Sequence, residues 1–182
     1  IEFSGQVEWN ILGFDALGKT KHKGFSPYLF AGIGIFKFNP KTVMNDTTFE
    51  LQPLATEGQG STPLQGRKKY ALTQVSIPLG IGVRFRLAPQ LVVGIEYGPR
   101  FTFTDYLDDV SLTYVNPSIL RAQNGEYSER LSNRSGEDKG PYDIINQKGQ
   151  QRGDRKTRDW YNWFGVTLTY TINLNKVKCF EF

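Results

Sequence analysis

The sequence predicts an all-β fold, an antiparallel up-and-down transmembrane β-barrel, on three observations. Five segments alternate apolar and polar side chains with a strict period of two, the signature of strands with one apolar and one polar face. The apolar stripes run for about ten residues, the length a tilted strand needs to cross a bilayer. The connections between the segments are short and long in turn, as at the two rims of an outer-membrane barrel.

The alternation is clearest in 71–105. Val75, Ile77, Leu79, Ile81, Val83, Phe85 and Leu87 take one parity, and Gln74, Ser76, Pro78, Gly80, Gly82, Arg84 and Arg86 the other. The next limb sets Val93, Ile95, Tyr97, Phe101 and Phe103, with Pro99 among them, against Gly94, Glu96, Gly98, Arg100, Thr102 and Thr104. Opposed residues of an antiparallel pair share a face, so odd positions must meet odd positions. A two-residue loop would put the stripes out of phase. A loop of Ala88, Pro89 and Gln90 sets Leu87 against Leu91 and keeps them matched. Arg84 then faces Gly94 and lies diagonal to Glu96, within reach of a long side chain.

The other elements follow in chain order. Strand one is 1–12, with Ile1, Phe3, Val7, Trp9 and Ile11 against Glu2, Ser4, Gln6, Glu8 and Asn10. A polar connection, 13–24, holds Lys19, Lys21, His22 and Lys23. Strand two is 26–38. Its two faces, Leu29, Ala31, Ile33 and Ile35 against Tyr28, Phe30, Gly32, Gly34, Phe36 and Phe38, leave the apolar side ambiguous. The stretch 39–69 reads as a long loop rich in Gly, Pro, Thr and Gln, and 106–157 as a longer one, polar throughout. Strand five runs from Trp160 to about 174, and a short tail closes the chain. Five strands are readable. Single-chain barrels of this kind use even numbers, so an eight-stranded total is expected, with three strands before Ile1. The whole is expected to form one domain.

Short turns are periplasmic and long loops extracellular in such barrels. Connections 13–25 and 88–90 are therefore expected in the periplasm, and 39–69 and 105–158 outside. Trp160, Phe101 and Phe103 then fall at one rim and Trp9 and Phe85 at the other, where amphipathic rings settle. A soluble lipocalin-like carrier would show the same alternation. Glycine, serine and threonine mixed with charges on the polar face favour the membrane form, because such residues fill a narrow lumen. Glu2, Glu8, Arg84, Arg86, Glu96 and Arg100 are the expected lumen charge network, in which burial requires pairing. Both signs of charge there point to a plugged barrel.

Composition narrows the function classes. The 182 residues carry a net charge of +4, too diffuse for nucleic acid. Mean hydropathy is −0.43, and no apolar run approaches a membrane-spanning helix. The chain has one histidine and one cysteine, so a catalytic triad would rest on His22, and a zinc site would lack ligands. No metal or cofactor is expected. Gly32-x-Gly34 and Gly80-x-Gly82 lie inside strands and are not phosphate cradles. Asp105, Asp108 and Asp109 could bind a cation or bridge to loop arginines, but a solvated cluster is the expected reading. Arg152-Gly153-Asp154 matches an adhesion tripeptide at a length expected by chance. Cys179 is expected to be a free thiol or to form an intermolecular bridge. An outer-membrane enzyme, of acyl-transferase or protease type, is the alternative from another class.

Several stretches carry a family resemblance. They are Pro27-Tyr28-Leu29-Phe30-Ala31-Gly32-Ile33-Gly34, Leu51-Gln52-Pro53-Leu54 with Thr56-Glu57-Gly58-Gln59-Gly60, Thr102 through Ser111, and Arg152-Gly153 followed by Asp159-Trp160-Tyr161. In this order they resemble the PorG-like outer-membrane proteins of the Bacteroidetes type IX secretion system. The resemblance implies a non-enzymatic integral outer-membrane protein. Its partners would be the lipid bilayer, a periplasmic ring-forming lipoprotein and that lipoprotein's partner subunit, with the barrel anchoring or positioning the ring. Given the orientation above, Lys19, Lys21, His22, Pro89 and Cys179 are expected to face that ring.

Overall fold

A computed structural model describes residues 1–15, 24–134 and 147–172. The predicted strands appear as β1 (Glu2–Asn10), β2 (Phe25–Lys37), β5 (Thr73–Ala88), β6 (Leu91–Thr102) and β7 (Trp160–Tyr170). They form a five-stranded sheet in the order β1-β2-β5-β6-β7. Backbone hydrogen bonds fix antiparallel pairing on each side of β2. Lys37 N donates to Ile1 O and Ile11 N to Pro27 O, while Phe38 N donates to Leu72 O and Arg86 N to Gly24 O. β6 and β7 pair antiparallel from Leu91 opposite Tyr170 to Phe101 opposite Trp160. Among the described residues β1 and β7 are the ends of the sheet, and no pairing closes it.

β5 continues through Ala88, leaving Pro89-Gln90 between the strands, yet the register is the expected one and not that of a two-residue loop: Gly80 lies against Gly98, which sets Leu87 opposite Leu91. The faces still match. A side chain grafted on Gly80 or on Gly98 would meet the same atom, Cζ of Phe30, at 2.5 and 2.7 Å.

The apolar stripe of the sheet is exposed and much of its polar face is buried. Ile33, Ile77, Leu79, Ile81, Phe164 and Leu168 are exposed, the last 72%. On the opposite face Ser76, Gly82, Gly94, Gly98 and Arg100 are buried. β2 resolves in favour of its even positions: Tyr28, Phe30 and Phe36 are buried with the polar stripe, and Leu29, Ile33 and Ile35 point away. Glycine explains how three bulky rings fit on that side. A side chain at Gly82 would run into the Tyr28 ring, and one at Gly165 into Trp163. Replacing Gly82 with valine should therefore expel Tyr28 and cost about 1–3 kcal/mol by overpacking. Thermal unfolding followed by circular dichroism in detergent checks this, with Gly5→Val as the control, since nothing lies within 4 Å of that position.

The chain divides into two compact units. The strand unit comprises Ser4–Gly34, Ser76–Phe101 and the segment from Trp160 onward; the loop unit comprises Ile1–Phe3, Ile35–Val75 and Thr102–Asp159. The described residues of the two long loops expected in the sequence are folded within the latter. β3 (Lys41–Met44) and β4 (Thr47–Glu50) form a hairpin whose turn residues Asn45 and Asp46 have φ of 48° and 58°, the left-handed pair that a tight two-residue hairpin requires. A single helical turn, α1 (Leu51–Leu54), stops at Ala55, whose φ is 50°. α2 (Pro117–Asn124) starts with proline and is capped by Asn116, whose side chain accepts from Ser118 N, satisfying one of the free N–H groups of the first turn. It ends at Gly125, and α3 (Glu126–Ser132) follows directly. Leu120 and Leu131 are buried, and the Phe49 and Tyr127 rings meet at 4.5 Å.

Candidate functional site

The polar face of the strand unit gathers most of the expected charge network. Arg84 forms an ion pair with Glu8 and stacks on Tyr28, its guanidinium 4.0 Å from the ring centre. The Tyr28 hydroxyl donates to Glu96 at 2.5 Å. The expected direct Arg84–Glu96 pair is thus replaced by a relay, Glu8–Arg84–Tyr28–Glu96, with the aromatic ring between the charges. Arg100 is 3% exposed, donates to Gly98 O at 3.0 Å, and lies 5.2 Å from the Trp163 ring. A cation over an aromatic face is favoured more when water is excluded. Arg86 donates to Asp15 O at 2.6 Å and joins neither group. Glu2 falls in the loop unit.

The relay gives a direct expectation. Tyr28→Phe removes the donor to Glu96 but keeps the ring under Arg84, and should cost about 1 kcal/mol, the net worth of a hydrogen bond to a part-buried acceptor. Arg84→Met leaves Glu8 unpaired but half-exposed, and should cost less. Detergent thermal unfolding of the two variants checks the order.

The second constellation lies in the loop unit, where a solvated carboxylate cluster is the expected reading over a cation site or a bridge to loop arginines. Asp109 and Glu57 are both 0% exposed. Asp109 accepts from Thr56 Oγ1 at 2.5 Å and from the Tyr70 hydroxyl at 2.6 Å. Glu57 accepts from Ser111 N and Leu112 N at 3.0 Å and from Arg152 Nη1 at 3.1 Å. Arg152 also donates to Asp109 O at 2.9 Å. Arg67 ties the opposite side, reaching Glu57 O, Thr113 O and Thr113 Oγ1. The Tyr70 and Tyr106 rings stack at 4.6 Å. Of the three loop-base carboxylates, Asp109 and Asp105 are buried and only Asp108 is solvated. The expected cluster is corrected accordingly: Asp109 is a structural node.

Local sequence explains how these groups meet. Gly58, at φ 73°, turns the chain directly after Glu57, in a conformation that a side chain would strain. Gly153 lies so near Ser111 that a Cβ would come within 2.7 Å of its backbone. The Arg152-Gly153-Asp154 tripeptide is therefore committed to internal packing through its first two residues. Its Asp154 side chain is occupied as well, accepting from Lys156 N at 3.1 Å and Thr157 Oγ1 at 2.7 Å.

Burial drives the Asp109 carboxyl above the usual carboxylate range, outweighing the Thr56 and Tyr70 hydrogen bonds and the Arg152 charge that oppose it. With the folded pKa raised, the folded state binds the proton more tightly than the unfolded chain. Its contribution to stability is full below the unfolded value of about 3.9 and declines as pH rises through the folded value. Asp105 shifts the same way, burial again being the main cause. Protease resistance of 103–134 should therefore be greater near pH 4 than at pH 7, and Asp109→Asn should flatten the difference.

Lys19, Lys21, His22 and Cys179 lie outside the described residues. Pro89, the remaining candidate for a partner contact, is exposed in the β5–β6 turn. Among the described residues no group of three or more His, Cys, Asp or Glu could hold a metal ion, and no helix is long and apolar enough to cross a membrane.

These features define an antiparallel meander with an outward apolar face, together with a folded unit made from its long connections. Residues 59–128, which include much of the Asp109 node, match the model of a domain of unknown function, DUF6089. No curated protein and no solved structure matches the chain.

Proposed function

We propose that the sheet is part of the wall of an integral outer-membrane β-barrel, of eight strands in all, with its apolar stripe against lipid. The observation that carries this reading is the exposure of Ile33, Ile81, Val166 and Leu168 on one face, while on the other Tyr28, Phe30, Ser76, Gly82, Gly94, Gly98 and Arg100 are buried along β2, β5 and β6. A soluble protein leaves a continuous apolar face of this kind uncovered at the cost of aggregation, whereas a bilayer covers it. A lipocalin-type carrier needs the reverse arrangement. Rings at the strand ends add support: Phe101 meets Trp160 at 4.6 Å at one end, and Phe25 meets Phe85 at 5.0 Å at the other, suiting the two interfaces. Tyr28, Phe30, Arg84, Arg100 and Trp163 fill the inner face, which favours a plugged barrel over a conducting one.

The role is non-enzymatic: the barrel is a component of the type IX secretion system, holding the periplasmic lipoprotein ring at the outer membrane. The family resemblance of the sequence supports this part, and the Pro89-Gln90 turn is placed on the ring side. Purification in mild detergent should co-isolate the ring lipoprotein and its partner. A photocrosslinker at Pro89 should capture the lipoprotein, while one at Ser118, exposed in the loop unit, should not. Capture from Ser118 alone would reverse the orientation.

A further inference from the structure

We propose that a cleft in the loop unit binds an anionic saccharide, one bearing phosphate, sulfate or carboxylate groups. The cleft measures about 1000 Å³, the upper end of the range for small-ligand sites. Its lining holds five cations against two carboxylates. One cation, Arg67, is occupied by Glu57 and Thr113. The other four, Lys68, Arg155, Lys156 and Arg158, are exposed and form no salt bridge among the described residues. The two carboxylates offset them only in part: Asp154 is engaged by its own turn, and Asp105, 7% exposed, feels the charge of Arg158, which still leaves the five cations of the lining in excess over two acids. A concave surface with an excess of charge of one sign concentrates ligands of the other, and arginine adds bidentate hydrogen bonds to oxyanions.

The surface between the charges distinguishes a saccharide from an acidic peptide. Gln65, Gln74, Gln151 and Thr113 supply amides and hydroxyls suited to sugar hydroxyls, and Phe103, 57% exposed, adds an aromatic ring to the lining. Leu112 is the single aliphatic side chain in the lining. A peptide would lack the apolar side-chain pockets that peptide recognition uses.

Calorimetry on the detergent-solubilised protein tests this, with four probes: a heparin-derived hexasaccharide, uncharged maltohexaose, hexaglutamate, and a phosphorylated glycolipid in mixed micelles. The hexasaccharide should bind, and more tightly than maltohexaose or hexaglutamate. Tighter binding of the glycolipid than of the hexasaccharide identifies a membrane headgroup as the source, and the reverse a free glycan. The double variant Lys68→Ala, Arg158→Ala should weaken the hexasaccharide about tenfold through loss of two charge-assisted contacts. Phe103→Ala should weaken the hexasaccharide but not hexaglutamate. Hexaglutamate binding as tightly as the saccharide, no saccharide binding, or affinity indifferent to these variants overturns the proposal. Such a failure leaves the membrane reading standing, because the cleft is argued from the loop unit alone.

Discussion

Val166→Arg should destabilise the protein by about 2–4 kcal/mol in a bilayer, the cost of a guanidinium on the lipid face near the midplane of a barrel. Val166 is 68% exposed, sits midway along β7 and lies opposite Ile95. Asn162, on the same parity but close to the strand end and opposite Pro99, should tolerate arginine at about 0–1 kcal/mol, as expected near the interface. The contrast separates lipid from water. On a solvated surface both substitutions would fall within about 0.5 kcal/mol of neutral. Equilibrium unfolding from phospholipid vesicles by denaturant measures both values, and equal small effects would remove the case for a lipid-facing stripe.

Glu57→Ala should be the most damaging single change in the loop unit, costing about 3–5 kcal/mol, because it leaves a nearly buried arginine and two amide groups without their acceptor. Arg152 has a side chain only 10% exposed, Ser111 N loses Oε1 as its acceptor, and Leu112 N loses both carboxylate oxygens. The double variant Glu57→Ala, Arg152→Met should recover a sizeable part of the loss, since it removes the stranded charge as well. Non-additivity of this size is what a contacting pair produces. Thermal unfolding, with amide exchange at Ser111 and Leu112, provides the readout. A double variant as unstable as the sum of the single ones would mean that Glu57 acts through something other than Arg152.

The strands were legible because alternation is local: each of the five can be read without knowing its neighbours. The inner aromatic rings were not, because a two-letter apolar/polar pattern places Tyr28 and Phe30 with Leu29 and Ile33. Only the pairing of strands reveals that Gly80, Gly82 and Gly98 make room for them. The same limit explains the relay. Arg84 and Glu96 are diagonal by register, yet Tyr28 arrives from β2 and takes the carboxylate. The helices α2 and α3 were missed although Asn116-Pro117 and Gly125 mark the ends of α2, because their short, mostly polar sequences carry little periodicity. The Asp109 node joins Thr56, Tyr70 and Arg152 from three distant segments, and no spacing along the chain announces such a meeting.

The central claim is that lipid covers the apolar face. Nitroxide labels placed one at a time at Ile77, Ile95 and Leu168, and at Gln74, Glu96 and Thr169, can be compared in vesicles for relaxation by oxygen and by a water-soluble nickel chelate. Oxygen should dominate at the first three positions and be weak at the other three. Dominance of the nickel chelate at Ile77, Ile95 and Leu168 would contradict the account.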